Sequence, residues 1–409
     1  MKDIHPKIEP VSLNKRIASL DVLRGFAVLG ILIMNIQSFA MIDAAYINPA
    51  AYGDLTGLNK WTWILSHTFA DMKFLSIFSI LFGAGIYLMT SKAESKGLKP
   101  NRLHVRRMFW LLVIGLAHAY LLWHGDILVT YALCGFWVLL FRKKTPKTLL
   151  VVGLGFMAVP TVLYLFAGAF FRYIPPESIE GMMRSWKPAV EIVSREIQAY
   201  QGGWLDQMPH RALSSLAFQT FLYLMFFGWR AGGLMLVGMA LFRWRVLSAE
   251  RSKGFYVRMV VAGLSIGWLF IIVGVIKNFA AGWSMGYSMF IGSQFNYWGS
   301  FSVALGYIGI IMLICQSRII EKITTTLSAV GRMAFSNYFL QTLICTTLFY
   351  GHGFGLFGRV ERKVQILIVA AVWIVQLIIS PLWLRHFRFG LLEWLWRTLT
   401  YGKRQPLRI

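Results

Sequence analysis

Polar side chains buried in apolar sequence are costly in hydrocarbon, so each one needs a partner or a task. Asn35, Asp71, Lys73, His118, Arg230 and Gln341 all lie inside long apolar runs. An imidazole serves as a general base, and a carboxylate can orient it. His118 and Asp126 stand in HAYLLWHGD, and His124 precedes Asp126 by two residues. Asp126 therefore either orients His118 or His124, or simply caps the helix that follows. On a straight helix His118 sits about two turns below Asp126, so direct contact requires a kink or a water. His118 has a second reading, as a core histidine bonded to Asn35 or to a carbonyl. His67 is a weaker candidate near the start of its run.

Asp71 and Lys73 are two residues apart and do not share a helical face, so they need different partners. Arg230 has two readings, a structural bridge to Asp71 or a member of a charge relay with Asp71 and Lys73. Asn35 and Gln341 suit hydrogen bonds between helices. A rise of about 1.5 Å per residue places Asn35 and His118 roughly 16 Å above the nearest basic edge. Asp71, Lys73, Arg230 and Gln341 come to a similar level. That convergence resembles a buried reaction or transport site. A further group is basic: Asp21 and Arg24 open the first run, Arg102, Arg106 and Arg107 the third, and Arg385, Arg388 and Arg397 follow the last. Arginine forks suit a phosphorylated donor, and equally suit anionic lipid and topology.

The elements that must hold these groups are helices in a membrane. Of 409 residues 57% are hydrophobic and 14% charged, more apolar surface than a soluble chain can hide. The apolar runs fall near 22–42, 62–90, 107–123, 127–141, 148–171, 213–242, 258–280, 295–315, 333–350 and 364–384, which predicts an all-α polytopic bundle of about ten transmembrane helices. The second and sixth are long enough for a tilted or broken segment. With both termini cytoplasmic, 29 of the 41 basic residues fall inside and 10 outside. The net charge of +24 is thus a topology signal, and nucleic acid is excluded as a partner. The basic start with Lys2, Lys7, Lys15 and Arg16 reads as a signal anchor. Residues 172–212 form a long external segment with a short amphipathic helix, a lid over an acceptor site or a passive surface. They divide a half at 1–171 from a half at 213–409. Ser380-Pro381 is expected to end or kink the last crossing, before an interfacial helix on the cytoplasmic leaflet. The three cysteines lie in apolar runs and read as packing, no His/Asp/Glu cluster has metal-ligand spacing, and no Walker loop is present.

SLDVLRGFAVLGILIMNI, FADMKFLSIFSILFGAGI and RRMFWLLVIGLAHAYLLWHGDILVTYALCG resemble the YeiB-like bacterial membrane proteins. GRMAFSNYFLQTLICTTLFYGHGFGLFG and WLRHFRFGLLEWLWRTLTYGK resemble their C-terminal domain of unknown function, number 418. The N-terminal half is also similar to the transmembrane acyltransferases. That resemblance implies a multi-pass protein of the bacterial inner membrane that takes an acyl group from cytoplasmic acyl-CoA to an envelope small molecule, glycan or lipid. It carries Asp21, Arg24, Asn35, Lys73, His118 and Asp126 into the expected machinery. Leu391 stands where relatives usually have proline, and the acetyltransferases' first-loop histidine has only His67 as an approximate match. The reading that follows places His118 and Asp126 as base and orienting carboxylate, and Asn35 or Lys73 as oxyanion donor. Arg24, Arg106, Arg107 and Arg388 hold the CoA phosphates, and no metal is expected. A transporter using Asp71, Lys73 and Arg230 is the alternative, and a homo-oligomer stays open.

Overall fold

Helices account for the chain because no other open structure satisfies its backbone in hydrocarbon. The computed structural model describes residues 17–317 and 320–409; the basic N-terminal residues Lys2, Lys7, Lys15 and Arg16 lie outside them. The first half contains α1 (Ala18–Ala40), α2 (Asp43–Ile47), α3 (Gly57–Phe69), α4 (Lys73–Ser95), α5 (Pro100–Leu121), α6 (Leu128–Val138) and α7 (Pro146–Ala169). A covering segment follows, with α8 (Pro176–Trp186), α9 (Val190–Gln201) and α10 (Met208–Ala217). The second half has α11 (Gly228–Arg243), α12 (Lys253–Ala280), the single turn α13 (Met285–Tyr287), α14 (Ser293–Ser317), α15 (Glu321–Arg332), α16 (Ala334–Phe349), α17 (Arg362–His386) and α18 (Leu391–Tyr401).

Seven helical stretches among the described residues are long and apolar enough to cross a membrane. The runs at 107–123, 127–141 and 333–350 also fold as helices: α5 of 22 residues, α6 of 11 with one further tight turn, and α16 of 16. The polytopic all-α bundle is thus shown by the architecture. One end of it carries the turns after α1, α5 and α16 together with α8 and α9. The other carries most of the arginines. They are the loop-rich and basic ends below.

Lipid is as apolar as leucine, so helices associate through close packing at small residues. α1 crosses α15 where Gly25 faces the Leu327 backbone and Gly331 faces Asp21. α4 crosses α11 where Gly83 meets Met235 and Gly238 meets Ile80. Side chains on the outer faces of α12 and α17, such as Leu269, Ile276, Leu367 and Ile374, remain exposed, as lipid contact requires.

The second run does break. α3 stops at Phe69, Met72 adopts a left-handed conformation, and α4 starts at Lys73. The sixth does not break but passes through a π-helical stretch, Phe218–Phe227, and a second such stretch, Ser288–Gly292, precedes α14. Of the two outcomes expected at Ser380-Pro381, the last crossing does not end there: α17 continues through Pro381 to His386. Proline removes one backbone donor near the helix end, and tertiary contacts hold the final turn. Trp383 donates to the Phe389 carbonyl and stacks on Phe387.

The tail folds back as α18. Glu393 accepts from the Phe335 and Ser336 amides at 2.7 and 3.1 Å and from the Ser336 hydroxyl at 2.6 Å. These are orphan donors at the start of α16, where a negative charge is favoured. Glu393→Ala is expected to cost about 1–2 kcal/mol and to speed tryptic cleavage at Lys403 and Arg404. Glu393→Gln should retain most of the stability; thermal melts in detergent with timed proteolysis check both.

Candidate functional site

The end of α5 decides where His118 sits. Its last carbonyls lack helical partners, and buried carbonyls must be satisfied. Leu122 and Trp123 amides donate to His118 O. Ser215 donates to Ala119 O, Arg211 Nε to Tyr120 O, and Trp204 Nε1 to Leu121 O. The covering segment thus pins the helix end. Because α5 begins at Pro100, His118 lies one turn from its loop-rich end and not half-way along it. The short link 122–127 returns the chain as α6, close enough that Gly115 faces Val129. Asp126 is thereby lowered to the level of His118. The two groups touch directly: Nδ1 lies 2.8 Å from Asp126 Oδ1, a charge contact out of hydrogen-bond alignment, with both side chains fully buried. Asp126 Oδ2 also accepts from the Val129 amide at 2.9 Å, so one carboxylate both faces the imidazole and caps α6. The other ring nitrogen, Nε2, is 3.0 Å from Thr342 Oγ1 on α16. Phe339 and Tyr338 enclose the ring at 4.5 and 5.2 Å.

Thr342 was not among the candidates. Nothing local marks it, since its partner is 224 residues away. Asn35 is not bonded to His118. It is half-buried on α1 and makes no side-chain hydrogen bond among the described residues. One turn further, Phe39 stacks at 4.0 Å on Trp123, and the Trp123 ring packs on His118 at 6.4 Å.

Lys73 belongs to a second centre. Its Nζ donates to His67 O at 2.6 Å and to Asn296 Oδ1 at 2.8 Å. The first contact satisfies a carbonyl freed by the break between α3 and α4, and Tyr307 does the same for Phe69 O. Asn296 also donates to Asp71 Oδ2 at 2.7 Å, while His67 Nδ1 lies 3.0 Å from the same oxygen. Asp71 and Lys73 are thus joined through an amide from α14. Arg230 forms no direct bridge to Asp71. It donates to Tyr297 O at 2.8 Å, to Ser76 Oγ at 2.9 Å and to Ser300 Oγ at 2.8 Å, with its guanidinium over the Tyr297 ring. Ser79, three residues beyond Ser76, bonds the Tyr131 hydroxyl at 3.0 Å. Lys73, Ser76 and Ser79 thus form a polar stripe on α4 that KFLSIFS spells at three-residue spacing.

Gln341 belongs to neither. It donates to Val28 O and to Gln376, and Gln376 to Asn337 O, tying α16 to α1 and α17. The expected single cavity for Asn35, Asp71, Lys73, His118, Arg230 and Gln341 is therefore corrected to separate networks. Residue spacing fixes height along a helix, but helix rotation and neighbour choice fix what meets.

At the basic end, Arg24 pairs with Asp21 at 2.6 Å. Arg24 and Arg397 lie within electrostatic reach of Arg107, whose guanidinium covers the Trp396 ring at 4.3 Å. Arg106 packs against Gly402 at the end of α18. Arg388 accepts from Arg332 through its carbonyl and donates its amide to Leu407 O. The tail guanidinium beside Arg107 is that of Arg397, not Arg388. This cluster offers forked donors to a phosphate. Near His124, the fold also gathers Asp43, Glu196 and His210, which no sequence spacing connects.

Residues 241–403 match the family model described as a protein of unknown function, DUF418. The chain is 33% identical to "Uncharacterized protein YxaH" of Bacillus subtilis over 98% of each chain. It is 32% identical to "Uncharacterized protein YeiB" of Escherichia coli, over 96% of this chain and 98% of the relative. It is 26% identical to a protein encoded beside an amylase of Bacillus acidopullulyticus, over 98% of each chain.

Proposed function

The chain belongs to the YeiB-like DUF418 family of helical membrane proteins, and from that premise we propose that it is a membrane-embedded acyltransferase. The observation that carries this reading is the imidazole of His118 held between Asp126 and a hydroxyl, inside a closed helical site. Acyl-CoA approaches the basic end from the cytoplasm, with its phosphates on Arg24, Arg106, Arg107 and Arg397. The acceptor, an envelope small molecule, glycan or lipid, approaches the loop-rich end of the protein in the bacterial inner membrane. Its hydroxyl or amine takes the place of Thr342 Oγ1 on His118 Nε2. His118 removes its proton as the acceptor oxygen or nitrogen bonds to the acyl carbon. The carbon–sulfur bond then breaks, and the proton passes from His118 to sulfur, releasing CoA as the thiol. Asp126 stabilises the transient imidazolium. Asn35, with no side-chain hydrogen bond among the described residues, donates to the developing oxyanion. Lys73 is given no role in this step, because two of its three donors hold His67 O and Asn296 Oδ1 in a separate network.

The test is labelled acyl-CoA supplied to proteoliposomes with envelope acceptors. Wild type is expected to transfer label, and Asp126→Asn to do so about 10²-fold or more slowly, since asparagine keeps the cap on Val129 but not the charge. Equal rates would remove the dyad from the mechanism. A second reading is favoured by one feature: Asp71, Lys73 and Arg230 surround a broken helix and two π-helical stretches, as at many transport sites. Proton-coupled flux without CoA that Lys73→Met abolishes would establish transport instead.

A further inference from the structure

We propose that Asp43, Glu196 and His210 form a divalent transition-metal site at the loop-rich end, separate from the His118 centre. Asp43 opens α2, Glu196 lies on α9 and His210 on α10, so the three elements meet only in the fold. One ligand atom from each lies within 4.8 Å of the others. His210 Nε2 is 3.6 Å from Asp43 Oδ2 and 3.6 Å from Glu196 Oε1. Those separations are too long for hydrogen bonds. Two ligands about 2.0–2.2 Å from a shared tetrahedral ion lie about 3.3–3.6 Å apart. Nε2 is out of solvent and has no hydrogen-bond partner among the described residues, although it stands equally far from the two carboxylates. Glu196 is only 8% exposed.

The surroundings have the form of a second coordination shell. Asp43 Oδ1 lies 3.0 Å from His124 Nε2, whose Nδ1 is 3.0 Å from the Tyr200 hydroxyl. Ser214 donates to Asp43 Oδ2 at 3.1 Å, and the Asp43 amide to Glu196 Oε1 at 2.8 Å. Such partners fix the orientation of ligating groups. Two carboxylates and an imidazole suit Zn²⁺, Mn²⁺ or Fe²⁺ over Ca²⁺ and Mg²⁺, which prefer six or more oxygens. The Asp43 and His210 side chains are 38% and 31% exposed, so one side of the site faces out and leaves a position for water.

The test uses full-length protein in detergent, stripped with EDTA and titrated with Co²⁺. Wild type is expected to bind one Co²⁺ per chain with the visible absorption of a tetrahedral ion, and to release it to Zn²⁺. His210→Ala and Glu196→Gln are expected to lose at least tenfold in affinity, while His352→Ala, a nearby histidine outside the cluster, binds as wild type. Gel filtration and metal-free melting confirm that the variants are folded. Substoichiometric uptake by wild type, or unchanged affinity in folded His210→Ala, would overturn the site, and neither outcome bears on acyl transfer.

Discussion

His118→Gln is expected to lower acyl transfer by about 10²–10⁴-fold, the range general base catalysis supplies. Glutamine can still bond the Thr342 hydroxyl, so the packing against Tyr338 and Phe339 is largely kept. It cannot take a proton and return it to sulfur. The donor's half-saturation should change little, because Arg106 and Arg107 stand at the opposite end of α5 from the substitution, against α18. A fall in turnover with unchanged donor binding is the signature of a group acting only in the chemical step. His118→Ala is a poorer probe, because it strands a buried carboxylate at Asp126 and opens a cavity. A His118→Gln protein that transfers label at the wild-type rate would leave His118 as a packing residue.

Gly238→Leu and Gly83→Leu are each expected to abolish the folded protein, with a cost of at least about 4 kcal/mol, in the exceptional class for single substitutions. At this crossing a side chain on Gly238 would strike the Ile80 backbone, and one on Gly83 the Met235 backbone. Neither obstacle is a flexible side chain, so α4 and α11 must separate. Separation also pulls Ser76 from Arg230, whose buried charge has its hydrogen-bond acceptors there and on α14. Losing partners for a buried cation is itself expensive. Gly85 has open space beside it, and Gly85→Ala should be neutral or stabilise by up to about 1 kcal/mol through helix propensity. Fluorescence-detected gel filtration and thermal melting of the three variants measure the contrast. Normal monodispersity for Gly238→Leu would contradict the close crossing.

Much of the architecture was legible because it depends on local quantities. Apolar runs of about 20 residues with few charges specify membrane helices from composition alone, and LDVLRG, the HAYLLWHGD block and the closing motifs specify the family. Asp126 as both cap and imidazole partner was also within reach, since eight residues of chain separate the two groups. The turn geometry that makes them touch was not, because it depends on Trp204, Arg211 and Ser215 satisfying the end of α5 from far along the chain.

The sequence by itself determined that this protein is a helical membrane bundle with costly polar groups within. Tertiary structure alone decided which of those groups meet. Thr342 reaches His118, Asn296 joins Lys73 to Asp71, and His210 faces Asp43 and Glu196 across long stretches of chain. The physical reason is that burial in lipid follows from each residue's own transfer energy, whereas a hydrogen-bond partner follows from helix rotation and crossing, which small residues such as Gly83 and Gly238 set at distant contacts.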